Sequence, residues 1–502
     1  MKSVVIAAPS EFAAAAGAAI AEEGGSVVDA LIAATLTAMC SEPGVCAPGG
    51  GGFLTVWPGD QEPVSIDGYM ARPGRDLPPE RPLRSYSVSM EYGGGITTEV
   101  GPASIAVPGG FAAFSAAHRR WGRMPWSEVI GHVADLMEQG FPLPGACHYY
   151  LGYSGEFVFG SDPASRAALF DGERLRGPGE TVRVEGLPVS LRRIAEDGAA
   201  TFYTGDLGQE IVADLAERGS LLTTTDLTEY RPVVGPALRS DLGEWSLATT
   251  PPPAVGGVAV SAILRILFDG DPLDPDRWAT AQERVARLRR HELEPAGDRT
   301  AAGWQVLSSF PGGGSGSTVN ISVAGSDGTV AAATMSGGYG SGVIPTGTGL
   351  WMNNSLGERE LNPGGVEATS IGARLISNMA PTVAGRSGRR LAIGSPGADR
   401  ITSALAISLT LLLTGHDLAT SIEHPRLHFE LDRNTVAVEP GLDLGPGFVA
   451  RPFPSLNMYF GGATATEWTP GSLTGHADSR RTGGVSVGGI EGTPDFTASL
   501  GS

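Results

Sequence analysis

Gly316-Ser317-Thr318-Val319-Asn320-Ile321-Ser322-Val323 decides the reading of this 502-residue chain. A Gly/Ser-rich run over 311–317 passes straight into alternating residues. Val319, Ile321 and Val323 fall on one face, Thr318, Asn320 and Ser322 on the other, which is the period of a strand. A hydroxyl residue at the head of a strand, behind a glycine loop, is by itself an ordinary loop-to-strand junction. It is also what a self-cleaving nucleophile requires. Thr318 attacking the carbonyl of Ser317 would break the chain and leave a free α-amine able to act as its own general base. The glycines would let the backbone reach the strained geometry of that attack.

The residues downstream turn the balance. Asp327-Gly328 signals a hairpin. Then follow Tyr339-Gly340-Ser341-Gly342-Val343, Gly349-Leu350-Trp351-Met352-Asn353-Asn354, Ser377-Asn378-Met379-Ala380-Pro381-Thr382 and Gly394-Ser395-Pro396-Gly397-Ala398-Asp399. In this order and spacing the chain resembles the γ-glutamyltranspeptidase family of N-terminal-nucleophile hydrolases. Gly24-Gly25-Ser26-Val27-Val28-Asp29-Ala30, the glycines 49–52 and Pro251-Pro252-Pro253-Ala254-Val255-Gly256-Gly257 extend the resemblance over nearly the whole chain.

The resemblance implies an α/β (α+β) fold, a four-layer αββα sandwich. It implies one intertwined fold cut into a large subunit, 1–317, and a small catalytic subunit, 318–502. By the same resemblance Thr318 is the nucleophile and Ser336 matches a threonine that hydrogen-bonds it. Gly397 and Ala398 match a glycine pair whose N–H groups form the oxyanion hole; alanine keeps its N–H if the local φ allows. The substrate-gripping set is altered more than the catalytic set. Tyr69 stands where an arginine grips the α-carboxylate, with Arg72 three positions on and on the opposite strand face. Ser377 and Asn378 stand for two serines, Glu358 for an aspartate that pairs with the substrate's amine, and Asn320 for a histidine.

The implied chemistry is cleavage of a γ-glutamyl-type amide through an acyl-enzyme, with transfer to water or an amine. Losing a buried charge-assisted pair costs about 2–5 kcal/mol, so Tyr69 favours a second reading. In it a divergent relative in a specialised-metabolite pathway acts on a non-glutamyl amide, or on a carbon–carbon bond next to a carbonyl. A third reading, an unprocessed non-enzymatic scaffold, has no use for Thr318, Ser336 and the oxyanion loop together.

Composition narrows the partners. A net charge of −19 argues against nucleic acid. Cys40, Cys46 and Cys147 are an odd number without ligand spacing, so neither a disulfide scaffold nor a zinc site is expected. No cofactor, metal or membrane partner is expected, only a small-molecule substrate and the two chains of one precursor, a homodimer of the processed pair being left open. No secretory leader or span of 18 apolar residues is read, and the expected location is cytoplasmic.

Along the chain, Ser10 and Ser26 read as helix caps, the second opening a buried helix through Met39. Helices are expected over 111–121, 126–139, 205–218, 258–268, 277–293 and 400–414. Residues 74–100 read as a surface loop and 294–317 as the mobile tail of the large subunit. The charge run Arg284, Arg287, Arg289, Arg290 and Glu292 reads as a solvated face.

Overall fold

The computed structural model describes residues 3–92, 95–309, 318–359, 361–362, 367 and 369–489. Ser10 caps Glu11–Glu22, its hydroxyl accepting from Ala13 N–H at 3.3 Å. Ser26 and Asp29 form a reciprocal capping box at 2.8 and 3.1 Å that starts Val27–Ser41. Every residue of that second helix is buried, because it lies between a sheet and three other helices.

Two antiparallel sheets make the centre. The first has seven strands, in the order Val233–Pro236, Val64–Gly68, Gly51–Trp57, Val330–Ser336, Val319–Gly325, Val4–Ala8 and Gly484–Gly488. The second has six, in the order Leu238–Leu242, Trp245–Thr249, Thr382–Arg386, Arg389–Gly394, Thr464–Thr469 and Ser472–Ala477. Small residues fill the seam between them, among them Val5, Ala324 and Ala332 facing Ala248, Val383 and Ala392. The first two helices cover the outer face of the first sheet. Val255–Phe268 and Arg400–Leu413 cover the second. The result is the expected helix–sheet–sheet–helix sandwich.

Strand Val319–Gly325 is buried on both faces. Val319, Ile321 and Val323 enter the core under the helices. Asn320 and Ser322 face the other sheet, where Ser322 Oγ donates to the Thr464 carbonyl at 2.9 Å. The polar half of the alternation therefore lines the seam between sheets rather than meeting water. The turn to Val330–Ser336 is the expected hairpin, with Gly328 at φ +80° and Asp327 Oδ1 accepting from Thr329 N–H at 3.0 Å.

Three expectations are corrected. Within 74–100 the chain forms a ribbon, Tyr86–Met90 paired with Ile96–Val100; its exposed Ser/Thr face had hidden the alternation. Residues 294–309 are not a tail, for Arg299–Ser309 is a helix with Asp298 accepting from the N–H groups of Thr300 and Ala301 at 3.0 Å. The remainder of that stretch, 310–317, lies outside the described residues. Arg289 is not part of a solvated face. It is buried and ion-paired with Glu294, which the chain brings back through a wide turn after Leu288.

Candidate functional site

Pairing registers bring several strand ends to one edge of the sandwich. Val319 pairs with Met335, so Thr318 falls opposite Ser336 at the next step. Ser336 pairs with Gly51, and Gly52 with Gly68, which puts Tyr69 beside them. From the second sheet, Gly394 ends its strand against Asn320, where a Cβ would lie 1.9 Å from the carboxamide. The loop 395–399 thus leaves the sandwich where Thr318 enters it.

The glycine run follows from this crowding. A Cβ on Gly50 would lie 2.1 Å from the Ser336 carbonyl oxygen, and one on Gly52 2.0 Å from that of Thr334. These glycines let one strand close on the strand that carries Ser336. Gly50→Ala is expected to lower stability by about 3 kcal/mol, read as a fall in the urea midpoint; an unchanged midpoint would contradict this.

Thr318 is fully buried and its carbonyl accepts from Arg481 Nη1 at 3.4 Å. Ser336 Oγ accepts from Gly338 N–H at 2.8 Å, so the hydroxyl is fixed across from Thr318. Gly338 takes φ +65°, and a Cβ there would meet the Asn354 carboxamide at 2.2 Å. Asn354 Oδ1 accepts from Tyr339 N–H at 2.7 Å, while Asn353 ties the Gly49 and Ala106 carbonyls at 2.7 and 3.0 Å. This Asn pair anchors the wall.

Ala398 sits at φ +64° and Gly397 at φ +129°. An alanine in the left-handed region costs about 1 kcal/mol, strain of the kind held at functional sites. Neither N–H donates to a carbonyl among the described residues, so both are available to a ligand oxygen. The loop is braced from below. Asp399 pairs with Arg400 and lies 3.3 Å from His428 Nε2. Burial opposes ionisation of Asp399, but Arg400 and His428 outweigh it and hold the carboxyl far below its ordinary range. His428 Nδ1 in turn meets Ser403 Oγ at 2.8 Å, which makes this histidine structural.

Tyr69 lies within interaction range of Ser377 and Glu358, and all three are buried, with buried Asn378 next to Ser377 in the chain. The Tyr69 ring stacks on Phe53 at 5.5 Å. Burial first, and then Glu358, push its phenol well above the ordinary range, against the pull of the Ser377 and Ser355 hydroxyls. The ring is therefore a neutral donor. Asn378 is buried with neither carboxamide atom hydrogen-bonded. The nearby guanidinium groups point elsewhere. Arg72 binds the Thr369 carbonyl and Glu367. Arg374 pairs with Asp67 at 3.0 Å and lies over Tyr230 at 4.5 Å.

Asn320 is not brought into this group. Its carboxamide is held in the seam by Thr334 Oγ1 at 2.6 Å and Thr464 Oγ1 at 2.8 Å. With nitrogen toward Thr334 it also donates to the Ala333 carbonyl at 2.9 Å. The expectation of a substrate contact from Asn320 is thus replaced by a cross-link between the sheets.

Among the described residues no cluster of His, Cys, Asp or Glu is placed to hold a metal ion, and no helix is long and apolar enough to cross a membrane. Thr318, Ser336 and the loop carrying Gly397 and Ala398 meet at this edge, and neither of those two N–H groups donates to a backbone carbonyl among the described residues.

Residues 13–287 and 279–488 match the family described as Gamma-glutamyltranspeptidase. The chain belongs to this family. Mouse (Mus musculus) glutathione hydrolase 5 proenzyme is 28% identical over 484 residues, covering 87% of this chain and 83% of the relative. Acylase ACY 1 proenzyme of Pseudomonas sp. (strain SE83) is 30% identical over 465 residues, covering 83% and 81%. Among solved structures, cephalosporin acylase from Bacillus halodurans superposes with a TM-score of 0.80 over 98% of this chain and 96% of that one, at 21% identity. Relatives of this transpeptidase family are thus named as proenzymes, and both glutathione hydrolases and acylases are among them.

Proposed function

We propose that this transpeptidase relative cuts itself before Thr318 and then transfers an acyl group through Thr318 to water or an amine. The observation that carries the reading is the placing of Thr318 opposite Ser336, at the edge where the strained Gly397-Ala398 loop leaves two N–H groups uncommitted. The freed α-amine takes the hydroxyl proton and later returns it to the leaving amine. Gly397 and Ala398 donate to the tetrahedral oxyanion, and Ser336 orients Thr318. The two chains remain one fold, since the first sheet interleaves strands from both sides of the cut.

The acyl group on this reading is not glutamyl. Tyr69 supplies a neutral hydroxyl where an α-carboxylate would need a cation. The free donor and acceptor of Asn378 suit a neutral amide, hydroxyl or carbonyl on the acyl chain. The acylase relative favours the same side. Purified protein is expected to turn over γ-glutamyl p-nitroanilide poorly, and Tyr69→Arg to raise kcat/KM on it by about 30-fold or more, the equivalent of 2 kcal/mol. Efficient turnover by the wild type would refute the altered pocket and restore a glutathione hydrolase.

A further inference from the structure

Two charged groups have no part in the reading above: Arg481, which touches Thr318, and Glu42, which lies within range of the Arg481 charge. Arg481 follows the ion-paired Asp478–Arg480 turn, and its stem runs over bare Gly462, where a Cβ would stand 2.6 Å from Arg481 Cδ. Its Nη1 reaches the Thr318 carbonyl, while its Nε is buried without a hydrogen bond. Glu42 caps the end of Val27–Ser41 and is buried, its Oε1 equally unbonded. Burial pushes the Glu42 carboxyl up to about 7, against the pull of Arg481 and of the Ser10 hydroxyl.

We infer that Arg481 is a positioning residue that grips Thr318 by its carbonyl and keeps the freed α-amine neutral, with Glu42 as the opposing charge that limits the effect. The inference rests on the self-cleavage reading. The nitrogen and carbonyl oxygen of one residue are about 3 Å apart, so a guanidinium on the oxygen lies about 6 Å from the amine. A like charge at that range disfavours protonation. An α-amine titrates near pH 8 and is a base only when neutral. Removing the Arg481 charge therefore raises the amine's midpoint, so the neutral, reactive form appears only at higher pH. Removing the Glu42 charge moves the midpoint down.

Other charges near the site are Glu358 and Tyr69 across the acyl pocket, and Asp399 with Arg400 and His428 below the oxyanion loop. Behind Arg481 lie Asp478, Arg480, Glu439 and Arg426, which pair among themselves. Cys46 and Cys147, near Glu42, are held as thiols by burial. None of these changes in the variants, so a shift reports Arg481 and Glu42.

Lys2 is the only lysine of the chain, so a small chain starting at Thr318 carries a single amine, its own α-amine. Acetylation by limiting acetic anhydride over about pH 5 to 10, read by the mass of the small chain, titrates it directly without a substrate. Arg481→Gln is expected to raise the midpoint by about one pH unit, and Glu42→Gln to lower it. Coincident midpoints for wild type and Arg481→Gln would overturn the assignment. If Arg481→Gln does not fold, Glu42→Gln decides, an unchanged or raised midpoint being fatal. A wild type that stays one chain overturns both this inference and the self-cleavage reading, whereas a cleaved wild type with unmoved variants overturns this inference alone.

Discussion

Thr318→Ala is expected to leave a single 502-residue chain and to lower turnover by about 10⁴-fold or more. The size of the effect follows from two roles held by one residue. The hydroxyl is the nucleophile for the cut, and the same hydroxyl, with the amine the cut uncovers, performs the later acyl transfer. The surroundings supply no substitute. His428 is committed to Ser403 and Asp399, and His476 lies against Glu423 at 2.9 Å. Thr318→Ser keeps the hydroxyl and is expected to cleave and turn over within about a hundredfold of the wild type. Equal activity of Thr318→Ala and wild type would move the chemistry to another residue.

The second large effect is expected at Gly397. Its φ of +129° is unavailable to a side chain, and a Cβ there would stand 2.8 Å from the Gly461 Cα. Gly397→Ala must shift the loop and turn its N–H away from the oxyanion. The expected loss is about 10²–10³ in kcat, the usual worth of one oxyanion donor, with KM little changed. Ala398→Gly is the companion variant. It keeps the N–H and relieves the left-handed alanine, so kcat is expected within about threefold of wild type, without loss of stability. Steady-state kinetics on one substrate separate the two. A larger loss in Ala398→Gly than in Gly397→Ala would place the oxyanion elsewhere.

What could be read from the residues depended on how local the cause was. Ser10, Ser26 and Asp29 act within one turn, and their helices stand where the caps put them. The roles proposed for Thr318, Ser336 and Gly397 come from short glycine- or hydroxyl-rich motifs, and the fold brings their strand ends to one edge. Residues whose partners are remote were misread or missed. Arg289 looked solvated because its partner Glu294 arrives only after the helix unwinds into a wider turn. Asn320 reads as a substrate contact only because the resemblance puts a histidine there; the residue itself does not reveal that a second sheet covers its side chain. Glu42 and Arg481 are far apart in the chain and act on one another only through the folded structure, so no motif could have signalled them.

The most direct measurement is the intact mass of the purified wild-type protein under denaturing conditions, after incubation at neutral pH. The account predicts two chains of 317 and 185 residues, the shorter beginning at Thr318. A single mass corresponding to all 502 residues, unchanged by prolonged incubation, would contradict it.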